Sequence, residues 1–187
     1  MITIYYMCGG YALAYFNQFL NSVKAILPNV EKRIVLITNN EQTTIYDKYH
    51  QDNVEIEVKF DKDELSIIPL NKVYELKKYI DNEGEYSIFI NPNAKFVGFN
   101  AALLEDNKLN FGYIDRQGEE QSEEHYAFGS LIYGKTALFN QLINFAKNYD
   151  FVEDENRTDE QKFIRFMEAN PETTQYRESS DIYTFFE

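Results

Sequence analysis

The stretch "YSIFINPNAKFV" (residues 86–97) runs an apolar segment directly into two asparagines that flank a proline. Aspartates at positions 91 and 93 would suit a divalent metal, because hard cations prefer carboxylate oxygens. The amides of Asn91 and Asn93 can instead donate hydrogen bonds toward a phosphate or a ribose. Two interpretations follow: a polar binding turn that works without metal, and a plain Asn-Pro-Asn turn that has no chemical role.

A second stretch, "GSLIYGKT" (residues 129–136), matches the phosphate-loop pattern of nucleoside-triphosphate-binding proteins. That loop needs a strand before its first glycine and an open backbone after it. Here the polar run "SEEHYAF" precedes Gly129, and residues 130–133 have the composition of a strand. We therefore favour a buried strand that turns at Gly134 and leads into a helix near Thr136, with a phosphate loop as the alternative.

A pair of acidic residues, Asp159 and Glu160, lies between Thr158 and Gln161. Threonine followed three residues later by glutamine is a capping-box pattern. The helix dipole favours carboxylates in a first helical turn. On pattern alone, these two acids mark the start of a helix.

Short apolar runs alternate with amphipathic stretches along the chain, which is the pattern of an α/β fold. The opening strand, helix and strand should cross over right-handed into a parallel sheet. Ligands of such sheets sit outside the carboxyl ends of strands, where Cys8, Gly9 and the asparagine pair lie. The predicted strands are 2–8, 33–38, 54–60, 86–90, 109–114 and 127–134; the predicted helices cover 13–27, a stretch between Pro69 and Gly84, 135–149 and 157–168.

Length and composition indicate one domain over residues 1–187, with a poorly patterned tail at 172–187. The formal net charge of −13 argues against a nucleic-acid partner, whose backbone selects lysine and arginine. Cys8 is the only cysteine, which excludes a disulfide framework and a thiolate metal site. No apolar stretch approaches the roughly 18 residues of a membrane span, and the N-terminus lacks the features of a signal peptide. We therefore expect a cytoplasmic protein.

Three stretches, in this order, resemble glycosyltransferase family 6, the family of the histo-blood-group A and B transferases and their smaller bacterial and phage relatives. They are "ITIYYMCGGYALAYFNQFLNSVKAILP", "LNKVYELKKYIDNEGEYSIFINPNAKF" and "HYAFGSLIYGKTALFNQLINFAKNYDFVEDENRTDEQKFIRFMEANP". The resemblance implies a single GT-A domain with a Rossmann-like, mixed and mostly parallel sheet. It also implies transfer of galactose or N-acetylgalactosamine from a UDP-sugar to a glycan acceptor, with retention of anomeric configuration.

Residues on the donor side take their roles from this resemblance. The first stretch is similar to the family's Cys-containing turn at the nucleotide. The second ends in the Asn-x-Asn that the bacterial branch, understood to work without metal, carries in place of Asp-x-Asp. Lys72 falls where the family has a basic residue beside the donor. The implied donor-binding residues are Cys8, Gly9, Gly10, Lys72, Asn91, Asn93 and Asp159, and no divalent metal is implied.

The third stretch contains the Asp-Glu centre of the family's His-Asp-Glu-Ser motif. Retaining glycosyl transfer passes through an oxocarbenium-like transition state, which a carboxylate beneath the anomeric carbon can stabilise or trap covalently. The resemblance gives this catalytic role to Glu160, and it gives contacts with the donor sugar's hydroxyls to Asp159. The family's tyrosine-alanine-glycine strand implies an acceptor and sugar site at His125, Tyr126, Ala127 and Gly129.

The sequence also departs from the family. The long segment that shapes the family's acceptor pocket is replaced by a short acidic loop at 116–124, and the chain has no Trp. The basic segment that follows the family's last helix is missing, and Arg177 is the only cation nearby. Positive charge for a metal-free diphosphate site would then come from Lys72 and Lys95. These departures keep an alternative open, a degenerate relative that binds nucleotide or glycan without turnover.

Overall fold

The computed structural model describes residues 1–9, 13–60, 76, 78–80, 84–114, 130–148 and 159–186. For residues 13, 147 and 159–161 it describes the backbone alone. The strands are β1 (Ile2–Cys8), β2 (Lys32–Thr38), β3 (His50–Gln51), β4 (Val54–Phe60), β5 (Tyr86–Ile90), β6 (Ala94–Phe96), β7 (Leu109–Tyr113), β8 (Leu131–Lys135), β9 (Thr174–Glu178) and β10 (Tyr183–Phe185). The helices are α1 (Leu13–Ala25), α2 (Thr136–Asn148) and α3 (Asp159–Ala169), with short 3-10 helices at Glu41–Tyr46 and Ala101–Leu104.

Eight of these strands form one mixed sheet in the order β3-β4-β2-β1-β5-β8-β7-β9. Strands β4, β2, β1 and β5 are parallel neighbours, and β7 is parallel to β9. Strand β8 is antiparallel to both β5 and β7, so β7 points the same way as β5. The α/β prediction with a mostly parallel mixed sheet is therefore confirmed at this level.

The chain changes direction across the sheet at β1. From β1 it proceeds outward to β2 and β4, and it then returns to place β5 on the other side of β1. A topological switch point therefore lies between β1 and β5. In open α/β sheets this is where the loops at the carboxyl ends of the strands separate and leave a crevice.

The central strands are buried on both faces, which explains their nearly continuous apolar sequences. All seven residues of β1 are buried. Ile4 and Tyr6 belong to a core beneath α1 and the small β6-β10 sheet, whereas Tyr5 and Met7 belong to a core beneath α2 and α3. The sheet thus separates two apolar cores, and successive side chains of one strand serve opposite cores.

Helix α1 ends earlier than its apolar stripe suggested. The stripe runs to Leu27, but the helix ends at Ala25, and Leu27 adopts the left-handed conformation with φ of 46°. The buried Lys32 ammonium then donates hydrogen bonds to the carbonyls of Ile26, Leu27 and Val30 at 3.1, 2.8 and 3.0 Å. One ammonium therefore binds three carbonyls of the loop that follows the helix, among them that of Leu27, which also accepts from Val30 N–H at 2.9 Å.

The segment from residue 172 onward, in which the pattern predicted no element, contains β9 and β10. β9 joins the main sheet beside β7, and β10 pairs antiparallel with β6. The two strands have five and three residues, and most of their side chains are at least partly exposed. Such short strands lack the apolar alternation on which strand prediction depends.

Most other predicted strands agree with the structure, with one correction in β8. Gly134, where a turn was predicted, is a strand residue that lies opposite Ser87 of β5. A Cβ at position 134 would come within 2.5 Å of the Lys108 carbonyl oxygen, so the glycine serves close packing of strands. The part of the predicted strand before Ser130, and most of the helix predicted between Pro69 and Gly84, lie outside the described residues.

Among the helices that the structure describes, none is both long and apolar enough to span a membrane.

Candidate functional site

The switch point brings two of the predicted donor segments together. The parallel register joins Ile2 to Tyr86 and continues to Tyr5 and Phe89, so β1 and β5 end at the same edge of the sheet. Gly9 follows β1 at this edge, and residues 91–93 follow β5. We call residues 91–93 the asparagine turn, and we call this edge of the sheet the carboxyl edge.

Hydrogen bonds within the protein satisfy the backbone of the asparagine turn. The Asn91 N–H donates to the Ser130 carbonyl at 2.8 Å, and the Asn91 carbonyl accepts from Ala94 N–H at 2.9 Å. The Pro92 carbonyl accepts from the Tyr6 hydroxyl at 2.6 Å. The Asn93 carbonyl accepts from Phe186 N–H at 2.8 Å. Four hydrogen bonds therefore fix the turn, and three of them join it to distant parts of the chain.

The side-chain amides are the polar groups that this turn retains for a ligand. Asn91 is only 6% exposed, and its Oδ1 accepts from the Asn93 N–H at 3.3 Å. That contact orients the Asn91 amide through its oxygen. The amide nitrogen, Nδ2, makes no hydrogen bond to any described residue. Asn93 is exposed. The turn can therefore offer N–H donors from a rigid backbone.

Cys8 lies at the end of β1, but its side chain belongs to the apolar core beneath α1. Burial raises the pKa of the Cys8 thiol to about 12, so the sulfur is protonated at neutral pH. The side chain is fully buried in this conformation, so any contact with a ligand here would come from the main chain around Gly9. Gly10 lies outside the described residues.

The acidic pair lies toward the same edge of the sheet. Asp159 and Glu160 are the first two residues of α3, which packs along β7 with Phe163 5.6 Å from Phe111 between ring centroids. α3 leads through a short turn into β9, whose start lies at the opposite edge of the sheet because β9 is parallel to β7. The helix therefore runs back across the sheet, and its N-terminus points toward the carboxyl edge.

The catalytic and the helix-start interpretations of this pair both remain open. The first-turn position agrees with the capping pattern, whose Thr158 lies outside the described residues. The catalytic role of Glu160 stays a prediction: α3, about 16 Å long at 1.5 Å per residue, directs its first turn toward the carboxyl edge.

A cluster that the sequence analysis missed lies beside the asparagine turn. The rings of Tyr15 and Phe186 stack with centroids 4.8 Å apart and planes 12° apart. The Lys95 ammonium lies 5.5 Å from the centroid of the Phe186 ring. The sequence pattern assigns Lys95 a role only as a source of charge, and Phe186 lies in the tail at 172–187, which has no recognised pattern. The aromatic pair "FF" before the last residue was the available signal.

The phosphate-loop alternative for residues 129–136 is excluded by the backbone of β8. Leu131–Lys135 forms a strand between β5 and β7, and its residues pair with both neighbours. A phosphate loop needs N–H groups that converge on an anion from an open loop. The N–H groups of residues 131–135 lie in a sheet, so this match to the phosphate-loop sequence pattern does not form a phosphate-binding loop.

Other predicted site residues lie outside the part of the chain that the structure describes. Lys72 is one of these, and so is the acceptor group of His125, Tyr126, Ala127 and Gly129. Within the described residues, no three or more His, Cys, Asp or Glu side chains come together in a group that could hold a metal ion.

The sequence matches no protein-family model and no curated protein. The resemblance to glycosyltransferase family 6 therefore rests on the three quoted stretches. The structure adds the arrangement of the described segments: the asparagine turn and Gly9 share the switch point, and the first turn of α3 points toward the same edge.

Proposed function

We propose that the protein is a retaining, metal-independent glycosyltransferase that moves galactose or N-acetylgalactosamine from a UDP-sugar to a glycan acceptor. The observation that carries this proposal is the asparagine turn. It sits at a topological switch point, its backbone is satisfied within the protein, and it retains side-chain amides as hydrogen-bond donors. A rigid set of N–H donors suits an anionic donor substrate, and under the proposal the sheet belongs to the GT-A type.

The leaving UDP gains negative charge as the glycosidic bond breaks, and preoriented donors stabilise that charge. Asn91 and Asn93 would donate toward the diphosphate or the ribose, and the main chain around Gly9 would contact the nucleotide. Lys95, two residues after Asn93, supplies positive charge where a metal would otherwise be needed. Lys72 is proposed as a second cation on the donor side.

Glu160 is proposed to act on the sugar. The anomeric carbon develops positive charge in an oxocarbenium-like transition state, and a carboxylate on the face opposite the leaving group stabilises it or bonds to it. Asp159 would bind donor hydroxyls, and residues 125–129 would contribute to the acceptor site. The acidic chain, with a formal net charge of −13, makes a nucleic-acid partner unfavourable. We place the enzyme in the cytoplasm.

The alternative is a degenerate relative that binds a nucleotide or a glycan without turnover. Its support is the short acidic segment at 116–124, where the family has a long acceptor segment. Under this alternative the protein still binds one of these ligands, but it does not transfer sugar.

The test measures release of UDP from a panel of UDP-sugars in EDTA, with simple galactosides as acceptors. We expect release from UDP-galactose or UDP-N-acetylgalactosamine, and thermal stabilisation of the protein by UDP. Activity that appears only after Mn²⁺ is added would contradict the metal-free interpretation of Asn91 and Asn93. Stabilisation by UDP without release from any donor would favour a degenerate relative that binds nucleotide. The absence of both would reject the transferase, favour the degenerate relative that binds a glycan and leave the asparagine pair as a plain turn.

A further inference from the structure

The C-terminal ribbon, which we define as residues 183–186, is bonded directly to the asparagine turn. Strand β10 pairs with β6 in the register Tyr183 with Phe96, Thr184 with Lys95 and Phe185 with Ala94. Directly after β10, the Phe186 N–H donates a hydrogen bond to the Asn93 carbonyl at 2.8 Å. The last described residue of the protein thus bonds to the last residue of the asparagine turn.

The ribbon is anchored from below as well. Tyr183 is fully buried, and its hydroxyl bonds to the side chain of Ser130. The carbonyl of the same Ser130 accepts the Asn91 N–H at 2.8 Å. Burial is the main cause of the raised Tyr183 pKa. Ribbon and turn therefore share a support at Ser130 and meet again at Phe186.

The ring of Phe186 joins two other elements at the site. It stacks on Tyr15 near the start of α1, at 4.8 Å between centroids, and Lys95 of β6 lies over it at 5.5 Å. Ala94 and Phe96 on either side of Lys95 are buried, so strand alternation turns Lys95 away from the core. A cation held over a ring keeps its charge in a defined place.

We propose that the C-terminal ribbon is the positioning element of the donor site. In this assignment the Phe186 N–H sets the conformation of Asn93, and the Phe186 ring places the Lys95 ammonium beside the turn, facing the diphosphate. Phe186 is a positioning residue, because it acts through Asn93 and Lys95. The inference rests on the proposed function for its ligand, while the geometry that it describes exists in the free protein.

Two substitutions at one position separate the two contacts. Phe186→Ala removes the ring and keeps the N–H, whereas Phe186→Pro removes both. Proline is compatible with the preceding Phe185 because that residue is in a strand, and extended conformations are favoured before proline. Phe186→Tyr keeps both contacts and serves as the conservative rescue. Tyr176→Ala, which truncates an exposed ring on the edge strand β9, is the matched control.

The affinity for UDP and the KM for the UDP-sugar are measured for each variant in EDTA. We expect Phe186→Ala to weaken UDP binding about threefold and Phe186→Pro about tenfold or more, in line with the loss of a further main-chain hydrogen bond. Lys95→Met should match Phe186→Ala, and the Phe186→Tyr and Tyr176→Ala variants should match the wild type. Equal affinity of Phe186→Pro, Phe186→Ala and wild type would overturn the proposal.

Amide hydrogen exchange in the ligand-free protein tests whether the ribbon positions the asparagine turn. This test does not depend on the proposed function. We expect exchange at Ala94, which closes the asparagine turn, to accelerate in Phe186→Pro and to remain near wild type in Phe186→Ala. If no UDP-sugar binds the wild type, the proposed function fails while this exchange result still decides the positioning of the turn. Unchanged exchange in Phe186→Pro would show that the ribbon does not hold the turn.

Discussion

At the scale of single residues, hydrogen bonds within the protein already occupy the backbone carbonyls of the asparagine turn. Each of its three carbonyls accepts a hydrogen bond, from Ala94 directly after the turn, from Tyr6 of β1 and from Phe186 near the C-terminus. Buried backbone groups require such partners, so the turn meets a structural demand before any ligand binds. The side-chain amides remain available to a ligand. For this reason the turn is a candidate for donor binding, although its composition is ordinary.

The catalytic role of Glu160 predicts a separation of binding from turnover. Glu160→Gln should lower sugar transfer at least about 100-fold, because a neutral amide cannot stabilise the cationic transition state. The affinity for UDP should change little, since this carboxylate acts on the sugar. Transfer kinetics and UDP titration of the same protein measure the two effects.

Glu168→Gln is the matched control for this prediction. Glu168 lies near the other end of α3, where it pairs with Arg165 at 2.8 Å on the surface. Exposed pairs of this kind contribute roughly 0.5 kcal/mol or less, so the control should transfer sugar like the wild type. Full turnover of Glu160→Gln would remove the catalytic assignment and leave Glu160 as a helix-start residue.

The Tyr6 hydroxyl predicts a measurable contribution to stability. Tyr6 is fully buried, and it donates to the Pro92 carbonyl at 2.6 Å. Tyr6→Phe keeps the ring that stacks on Phe19 but leaves that carbonyl without its donor. We expect a loss of about 1–2 kcal/mol in the free energy of unfolding, measured with urea.

Tyr133→Phe provides the opposite case with the same chemical change. Tyr133 is also fully buried, but its hydroxyl has no hydrogen-bond partner among the described residues. Its removal should leave stability unchanged or slightly higher, because a buried hydroxyl without a partner is costly. Equal losses in the two variants would show that the bond to Pro92 contributes nothing specific.

At the scale of elements, the end of α1 shows how a charged residue becomes part of a core. One buried ammonium donates to three carbonyls of the loop at 26–30, which connects α1 to β2. Burial lowers the pKa of Lys32, which reflects the cost of removing its charge from water. The three hydrogen bonds offset that cost and position the start of β2.

Lys32→Met should therefore destabilise the protein by about 2–3 kcal/mol, since hydrogen bonds from a charged donor are lost and buried carbonyls remain. Lys24→Met is the control from the same helix end. Lys24 pairs with the exposed Asp52 at 3.2 Å and lies over the Tyr49 ring at 5.1 Å, surface contacts that contribute about 1 kcal/mol or less. Urea unfolding of both variants decides the prediction, and a Lys32→Met protein as stable as Lys24→Met would contradict it.

At the scale of the whole molecule, one sheet separates two apolar cores that contain several tyrosines. Burial raises the pKa values of the Tyr6, Tyr133 and Tyr183 hydroxyls above their ordinary value of 10.0 and that of the Cys8 thiol to about 12. Each group therefore holds its proton more tightly in the folded than in the unfolded chain. Their contribution to stability is complete below the unfolded pKa values and is lost as pH rises above them.

This linkage predicts unfolding in alkali. The urea midpoint should hold steady to about pH 9 and fall steeply between about pH 10 and 12, as the unfolded chain releases protons that the folded chain keeps. Tyrosine absorbance should show exposed rings titrating first and buried rings titrating together with unfolding. A midpoint that is level to about pH 12 would contradict the prediction.

Salt provides the control for this prediction. The net charge of −13 also becomes more negative in alkali, and the resulting repulsion is screened by added salt. The loss that results from buried tyrosines should persist in about 0.5 M NaCl, because screening acts weakly on buried groups. Complete rescue by salt would assign the alkaline loss to surface repulsion.

The sequence by itself determined the local elements in which apolar periodicity is strong. The strands at residues 2–8, 54–60 and 86–90 have the predicted bounds. The first and the third are buried along most of their length and have continuous apolar runs, whereas 54–60 alternates apolar with more exposed residues. It also placed the asparagine pair and Gly9 at strand ends. It missed β9 and β10, whose residues are mostly polar or partly exposed and are held by neighbours distant in sequence.

Only the tertiary structure decided which strand ends lie together and which residues of a sequence motif are free to bind a ligand. The register of β1 with β5 brings Gly9 to the asparagine turn, and sheet pairing commits the backbone of "GSLIYGKT" to a strand. It also brings Phe186, from the unpatterned tail, to Asn93. Strand order and the partners of buried polar groups depend on contacts between distant parts of the chain, which local periodicity does not encode.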